Sequence, residues 1–176
     1  MDLRYPIGPF VREKEPLSAE ERNRFIGEIA TAPEKLREAV AGLTAPQLDT
    51  PYRPGGWTAR QVAHHTPDGH INAYVRFKLA LTEDRPALQT YEESEWAKLP
   101  DTVATPVEVS LALLVALHRR WVTMLRSLGE EDFLRTAWHP SWGVVTVDFL
   151  LAQYAWHGRH HVAHITSLRE REGWTA

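Results

Sequence analysis

The chain contains no cysteine. That absence excludes a disulfide framework, a protein thiolate nucleophile and every cysteine-ligated zinc or iron–sulfur site, so any metal must be held by imidazole and carboxylate. Long apolar runs are missing as well: the longest strictly apolar stretch, Leu111 to Leu117, falls far short of a membrane span. The start, Met1-Asp2-Leu3-Arg4-Tyr5-Pro6, lacks the apolar region of a signal peptide, and the expected location is the cytoplasm. Neither sign of charge dominates. Twenty basic and 23 acidic residues are interspersed for a net charge of −3, so neither nucleic acid nor a membrane surface is expected as a partner. Gly-x-Ser-x-Gly, His-Glu-x-x-His, the paired Glu-x-x-His of di-iron bundles, phosphate-binding glycine loops and dinucleotide fingerprints are all absent.

What is present is a helical pattern in a length, 176 residues, that suits one domain with a sizeable core. Residues 1–17, with Pro6, Gly8, Pro9 and Pro16, read as an extended arm whose Tyr5, Ile7 and Phe10 pack on the body. Ser18 with Glu21 forms a capping box for a first helix carrying Phe25, Ile26 and Ile29 inward. Thr31, Pro33 and Glu34 predict a kink or restart before an end near Leu43. Thr58 with Gln61 opens a second helix to about Thr82, with a kink at His65–Gly69 from Pro67. A long connection, 83–104, holds one short helix near Glu92–Lys98. Thr105 and Pro106 open a third helix that stops at Gly129; residues 130–145 suggest a small ribbon, and Thr146 starts a fourth helix ending near Gly173. The fold class is therefore all-α, a four-helix bundle.

Chemistry concentrates in the fourth helix. Four of the nine histidines fall within Tyr154–His164 and form two i, i+4 pairs, His157/His161 and His160/His164. Such a pair lies on one helix face with Cβ atoms about 5–6 Å apart, so two imidazoles can converge on one ion. Stepping about 100° per residue, Val147, Leu150, Tyr154, Ile165 and Leu168 share the His161 face, with His157 at its edge. His160 points away, towards Phe149 and Trp156, and His164 lies between. The 157/161 pair is thus the inward one; the bland alternative is a set of core or surface histidines with local hydrogen bonds. The second helix offers His64 or His65 as a third ligand, and periodicity does not choose between them. Three neutral imidazoles leave a fourth position for water or substrate, as in catalytic zinc.

Three blocks resemble the YfiT branch of the DinB-like superfamily: Asp49 through His65, with Gly55-Gly56-Trp57-Thr58 and His64-His65; His70 through Glu83, with His70-Ile71-Asn72-Ala73-Tyr74-Val75-Arg76; and Tyr154 through His164. The resemblance begins at the Tyr5-Pro6-Ile7-Gly8 arm and runs to the end, implying one metal-binding four-helix domain over 1–176. It implies an up-down-down-up topology and one zinc or nickel ion per chain. Counted about eight residues on from Trp57, it makes His65 the helix-two ligand beside His157 and His161. Thr66-Pro67 and Gly69 depart from the family pattern directly after His65.

The activity it implies is metal-dependent hydrolysis of a small molecule, the metal activating water. Transfer of a low-molecular-weight thiol such as bacillithiol is the alternative, its thiolate arriving with a cosubstrate; a non-catalytic, metal-stapled bundle is the third reading. Dimers are common in the family, so a homodimer is expected. His64, His160 and His164 are expected behind the ligands or at the surface, and His70, His118 and His139 in structural or surface roles.

Overall fold

The computed structural model describes residues 2–174; Met1 and residues 175–176, included in the expected arm and domain bounds, lie outside the described residues. The elements are α1 (Ala19–Val40), α2 (Ala45–Leu48), α3 (Ala59–Thr82), α4 (Glu93–Trp96), α5 (Pro100–Ala104), α6 (Val107–Arg126), α7 (Glu130–Phe133), β1 (Thr136–His139), β2 (Gly143–Thr146) and α8 (Val147–Glu172). Three of the four long helices start where their caps predict; α6 begins one residue later than expected, at Val107, with Pro106 as its N-cap and no side-chain cap. Ser18 Oγ accepts the Glu21 N–H at 3.2 Å while the Glu21 carboxylate accepts the Ser18 N–H at 2.7 Å, and Thr58 and Gln61 repeat the exchange at 3.1 and 2.9 Å. Thr146 caps α8, which ends at Gly173 in the left-handed conformation (φ 68°).

Some boundaries differ from expectation. α1 passes through Pro33 without a restart, because Thr31 turns its hydroxyl back onto the Gly27 and Glu28 carbonyls at 3.1 and 3.3 Å instead of capping a new helix; the helix ends at Val40. α3 is likewise α-helical at every residue from 63 to 70, so Pro67 causes no break there. α6 stops at Arg126, and Gly129 caps the short α7. The ribbon is the antiparallel hairpin β1–β2, pairing Thr136 with Thr146 and His139 with Gly143.

Cross-helix contacts set the topology. Arg22 meets Asp148, Glu28 meets Arg159 and Ala39 meets Arg169, so α1 and α8 run parallel. A Cβ at Gly158 would stand 3.2 Å from that of Ala32, so the missing side chain lets these helices approach closely. His64 meets Ser110, His70 meets His118 and Phe77 meets Trp121, so α3 and α6 also run parallel. α3 opposes α8, since His65 faces His161 while Phe77 faces Tyr154. The order is up-down-down-up, with α1 and α3 on the diagonal and each packed against α6 and α8. That arrangement requires the long connection after α3.

Two apolar clusters hold the bundle. One, around Ile29, Phe77, Trp121, Phe149 and Leu150, fills one end; the other, around Leu36, Val62, Leu114, Ile165 and Leu168, fills the other. Between them lies a belt of eight histidines: 64, 65 and 70 from α3, 118 from α6, and 157, 160, 161 and 164 from α8. The arm crosses the start of α8. Phe10 stacks edge-on against Trp142 and Phe149, Trp156 donates to the Gly8 carbonyl at 3.3 Å, and Thr146 donates to Glu15. Tyr5 and Ile7 stay more exposed than expected, at 42% each. Asp148, fully buried, accepts two hydrogen bonds from Arg22 (2.7 and 2.8 Å) and one from the Leu17 N–H (3.0 Å), clamping the arm and α1 to α8.

Candidate metal centre

His65 on α3 and His157 and His161 on α8 each bring a ring nitrogen to within 4.8 Å of the others. These are the three residues expected from the sequence, and no other group of three or more His, Cys, Asp or Glu side chains gathers in this way among the described residues. One helical turn places His157 and His161 together, their Nε2 atoms 3.2 Å apart. His65 meets the edge of His161, ring centroids 4.7 Å apart, and is backed by Trp57 at 4.6 Å. Its Nε2 is buried and has no hydrogen-bond partner, as does the Nδ1 of His161. A buried orphan nitrogen is costly alone, and two nitrogens at 3.2 Å beside it suit a shared cation, so the donor set fits a divalent metal.

Burial keeps these rings neutral. It pushes His65 down to about 4, the neighbouring His164 contributing in the same direction. His157 and His161 lie well below the usual imidazole value, first through burial and then through the mutual repulsion of the cluster. Neutral imidazole is the form that binds metal, so at neutral pH no proton competes for these lone pairs.

The remaining histidines surround the triad. His64 turns to α6, its Nδ1 2.7 Å from Ser110 Oγ, which takes it out of the cluster. His160 stacks on Trp156 (4.3 Å), as its helix phase predicts, yet it is buried because Tyr5 of the arm covers it. His164 stacks on Tyr52 (4.0 Å) and donates from Nε2 to the Arg4 carbonyl at 3.1 Å. His70 and His118, assigned structural or surface roles from the sequence, make a chain: His157 Nδ1 lies 3.0 Å from His70 Nε2, His70 Nδ1 lies 2.7 Å from His118 Nε2, and His118 Nδ1 lies 2.6 Å from the Ile29 carbonyl. His139, at the hairpin, accepts the Ser141 N–H at 3.1 Å.

Two hollows of about 360 Å³ flank the triad. The first, on the His157 side, is polar and is lined by Arg76, Tyr91, Glu93, Gln153 and Tyr154. Arg76 donates to Tyr154 Oη at 2.5 Å and to the Gln89 carbonyl at 2.6 Å, which ties the connection carrying Tyr91 across the face of α3. Tyr91 Oη and Gln153 Oε1 are buried without partners, and burial raises the Tyr91 phenol so that it keeps its proton. Gly69 forms the gap between Tyr91 and the triad: a Cβ there would stand 3.0 Å from His157 Cε1 and 3.5 Å from both His157 Nε2 and Tyr91 Oη. The second hollow, on the His161 side, is lined by Arg4, Tyr52, Arg53, Trp57, His160 and His164. The sequence marked Gly69 only as a departure from the family pattern, and nothing marked Tyr91, which sits on an irregular connection.

The chain belongs to the DinB superfamily, whose profile matches residues 28–165. Within it the similarity is to YfiT from Bacillus subtilis, described as a probable metal-dependent hydrolase with an unusual four-helix bundle topology: that solved structure shares 45% identity and superposes with a TM-score of 0.95 over 99% of this chain and 100% of its own. Proteins of Bacillus cereus and Bacillus thuringiensis named "putative metal-dependent hydrolase" are 53% identical over 173 residues, covering 98% of this chain and 99% of theirs. Among the described residues no helix is long and apolar enough to cross a membrane.

Proposed function

We propose that His65, His157 and His161 hold one divalent ion, zinc or nickel, and that the chain is a metal-dependent hydrolase of a small molecule. The observation that carries this reading is the convergence of three imidazole nitrogens, with no fourth His, Asp or Glu in the cluster among the described residues, beside a polar cleft. Three protein ligands and an open position are the pattern of catalytic zinc, whereas structural zinc is closed by four. The names carried by the relatives support the hydrolase half of the reading.

When bound, such an ion supplies Lewis acidity, polarising a carbonyl or phosphoryl oxygen and bringing the pKa of water near neutrality. The chain's own residues set the stage. The buried imidazoles keep their lone pairs unprotonated, Gly69 leaves a passage from the triad to the cleft, and Tyr91 offers a hydroxyl proton to a substrate oxygen there. Arg76 holds the Tyr91 connection in place, so its role is positional. A cleft of about 360 Å³ limits the substrate to a small molecule.

The test incubates zinc- and nickel-loaded protein with a panel of activated esters, amides and alkylating electrophiles, with and without small thiols, and follows products by mass spectrometry. Hydrolysis that needs no thiol and is lost in His161→Ala and His65→Ala supports the proposal. Thiol adducts lost in the same variants replace it with thiol transfer, for which the cosubstrate must bring the thiolate because the chain has none. Stoichiometric metal without turnover across the panel replaces it with a structural ion.

A further inference from the structure

The chain of imidazoles behind His157 begins at a carbonyl that a proline leaves free. In α1 the N–H of residue 33 would bond the carbonyl of Ile29, but Pro33 has no N–H, so that buried oxygen has no helical donor. His118 reaches it from α6, with Nδ1 at 2.6 Å. A carbonyl oxygen only accepts, so the proton is on His118 Nδ1. None of the ring-nitrogen contacts along this chain is to a carboxylate, and an uncompensated imidazolium among buried rings is costly, so each ring carries one proton. The rest follows by elimination. His118 Nε2 is bare and accepts from His70 Nδ1–H at 2.7 Å; His70 Nε2 is then bare and accepts from His157 Nδ1–H at 3.0 Å. His157 Nε2 is left with its lone pair, and it is this atom that lies 3.2 Å from His161 Nε2.

We propose that His70 and His118 are positioning residues, which relay the acceptor character of the Ile29 carbonyl across the bundle and fix His157 in the tautomer whose Nε2 faces the triad. The inference rests on the metal-site reading for its purpose, but the tautomer is a property of the metal-free protein. A metal-ligating histidine commonly donates its second N–H to an acceptor that fixes tautomer and ring orientation and raises basicity. Here that acceptor is an imidazole, itself held by another, spanning α8, α3, α6 and α1. The arrangement accounts for two imidazoles buried at the centre of the bundle, His70 at 0% and His118 at 2% exposure, where apolar side chains would pack without needing hydrogen-bond partners.

The first measurement needs no metal. In metal-free, ¹⁵N-histidine-labelled wild-type protein, with the His157 signals identified by their loss in His157→Ala, the proton should reside on Nδ1. Residence on Nε2 overturns the proposal. The second measures zinc affinity by chelator competition. His70→Leu, which accepts nothing, should weaken binding about 10- to 100-fold. His70→Gln, which can donate to His118 and accept from His157, should stay within a few-fold of wild type. Wild-type affinity in a folded His70→Leu, or equal losses in the leucine and glutamine variants, overturns the relay. If His70→Leu does not fold, the tautomer and the glutamine variant still decide. Failure of the metal-site reading looks different: wild-type protein would bind no zinc, or His161→Ala would bind it as well as wild type, while the tautomer of the metal-free protein would still report on the relay.

Discussion

Gly69→Ala should raise or preserve the stability of the metal-free protein while lowering its metal affinity, and the opposite signs follow from one contact. In the interior of α3 an alanine is favoured over glycine by about 0.5–1 kcal/mol, because glycine loses more backbone freedom on folding. Against this, the new Cβ would stand 3.0 Å from His157 Cε1, where carbon–carbon contacts prefer about 3.5–4.0 Å, so the ring must give by a few tenths of an ångström. In the metal-free protein that retreat is taken up at the hydrogen-bonding contacts of the His157 ring, to His70 and to His161. In the loaded protein it moves a ligand by more than the roughly 0.2 Å that coordination distances tolerate. The expected loss in zinc affinity is about 10-fold or more, so at a fixed excess of zinc the ion stabilises the variant by about 1.4 kcal/mol less than it does wild type. For a chain of this size that is about 3–6 °C in Tm. Thermal unfolding with and without zinc, together with chelator competition, measures both quantities. A Gly69→Ala protein that binds zinc as tightly as wild type would show that the space beside His157 does not govern the site.

Two further outcomes test the scaffold and its electrostatics. Asp148→Asn leaves the Arg22 guanidinium without its buried partner charge and should cost about 3–5 kcal/mol, read as a Tm lower by roughly 6–20 °C, with zinc affinity per folded molecule unchanged; a small loss would mean the clamp between arm, α1 and α8 is not what holds them. Acid should destabilise the metal-free protein well before its carboxylates titrate. His65 and His118 sit near pKa 4 when folded and near 6.5 when unfolded, so below about pH 6.5 the unfolded state binds more protons, and stability is lost as pH falls from about 6.5 towards 4. Each ring removes about 2 kcal/mol by pH 5, and denaturant unfolding at pH 7 and pH 5 reads the difference; equal stability at the two values would mean the rings are not buried in neutral form.

The helix starts and the inward pair on α8 were legible because they depend on local rules. Ser18/Glu21 and Thr58/Gln61 announce their caps, and the phase that puts His157 and His161 with Tyr154 and Ile165 needs only the helical repeat. The choice between His64 and His65 was not local. Both are buried, and what separates them is that α6 presents Ser110 to one while α8 presents His161 to the other. Only the family resemblance pointed to His65. Phase also placed His160 on the side of Trp156, on which it stacks, but could not foresee that Tyr5 of the arm would close over it. Pro33 and Pro67 were read as helix disturbances, when each is absorbed within a continuous helix.

Proline, histidine belt and triad are then connected by a single physical constraint. A belt of imidazoles between two apolar clusters is destabilising in itself, because every ring nitrogen taken from water needs a partner. α1 supplies one acceptor by omitting a backbone N–H at Pro33, and the chain His118–His70–His157 uses that acceptor to satisfy five ring nitrogens in sequence. The sixth, His157 Nε2, is turned out towards His161 and the unpartnered Nε2 of His65. Hydrogen bonding inside the bundle thus turns the last lone pair of the relay towards the triad, where the residues proposed as metal ligands gather.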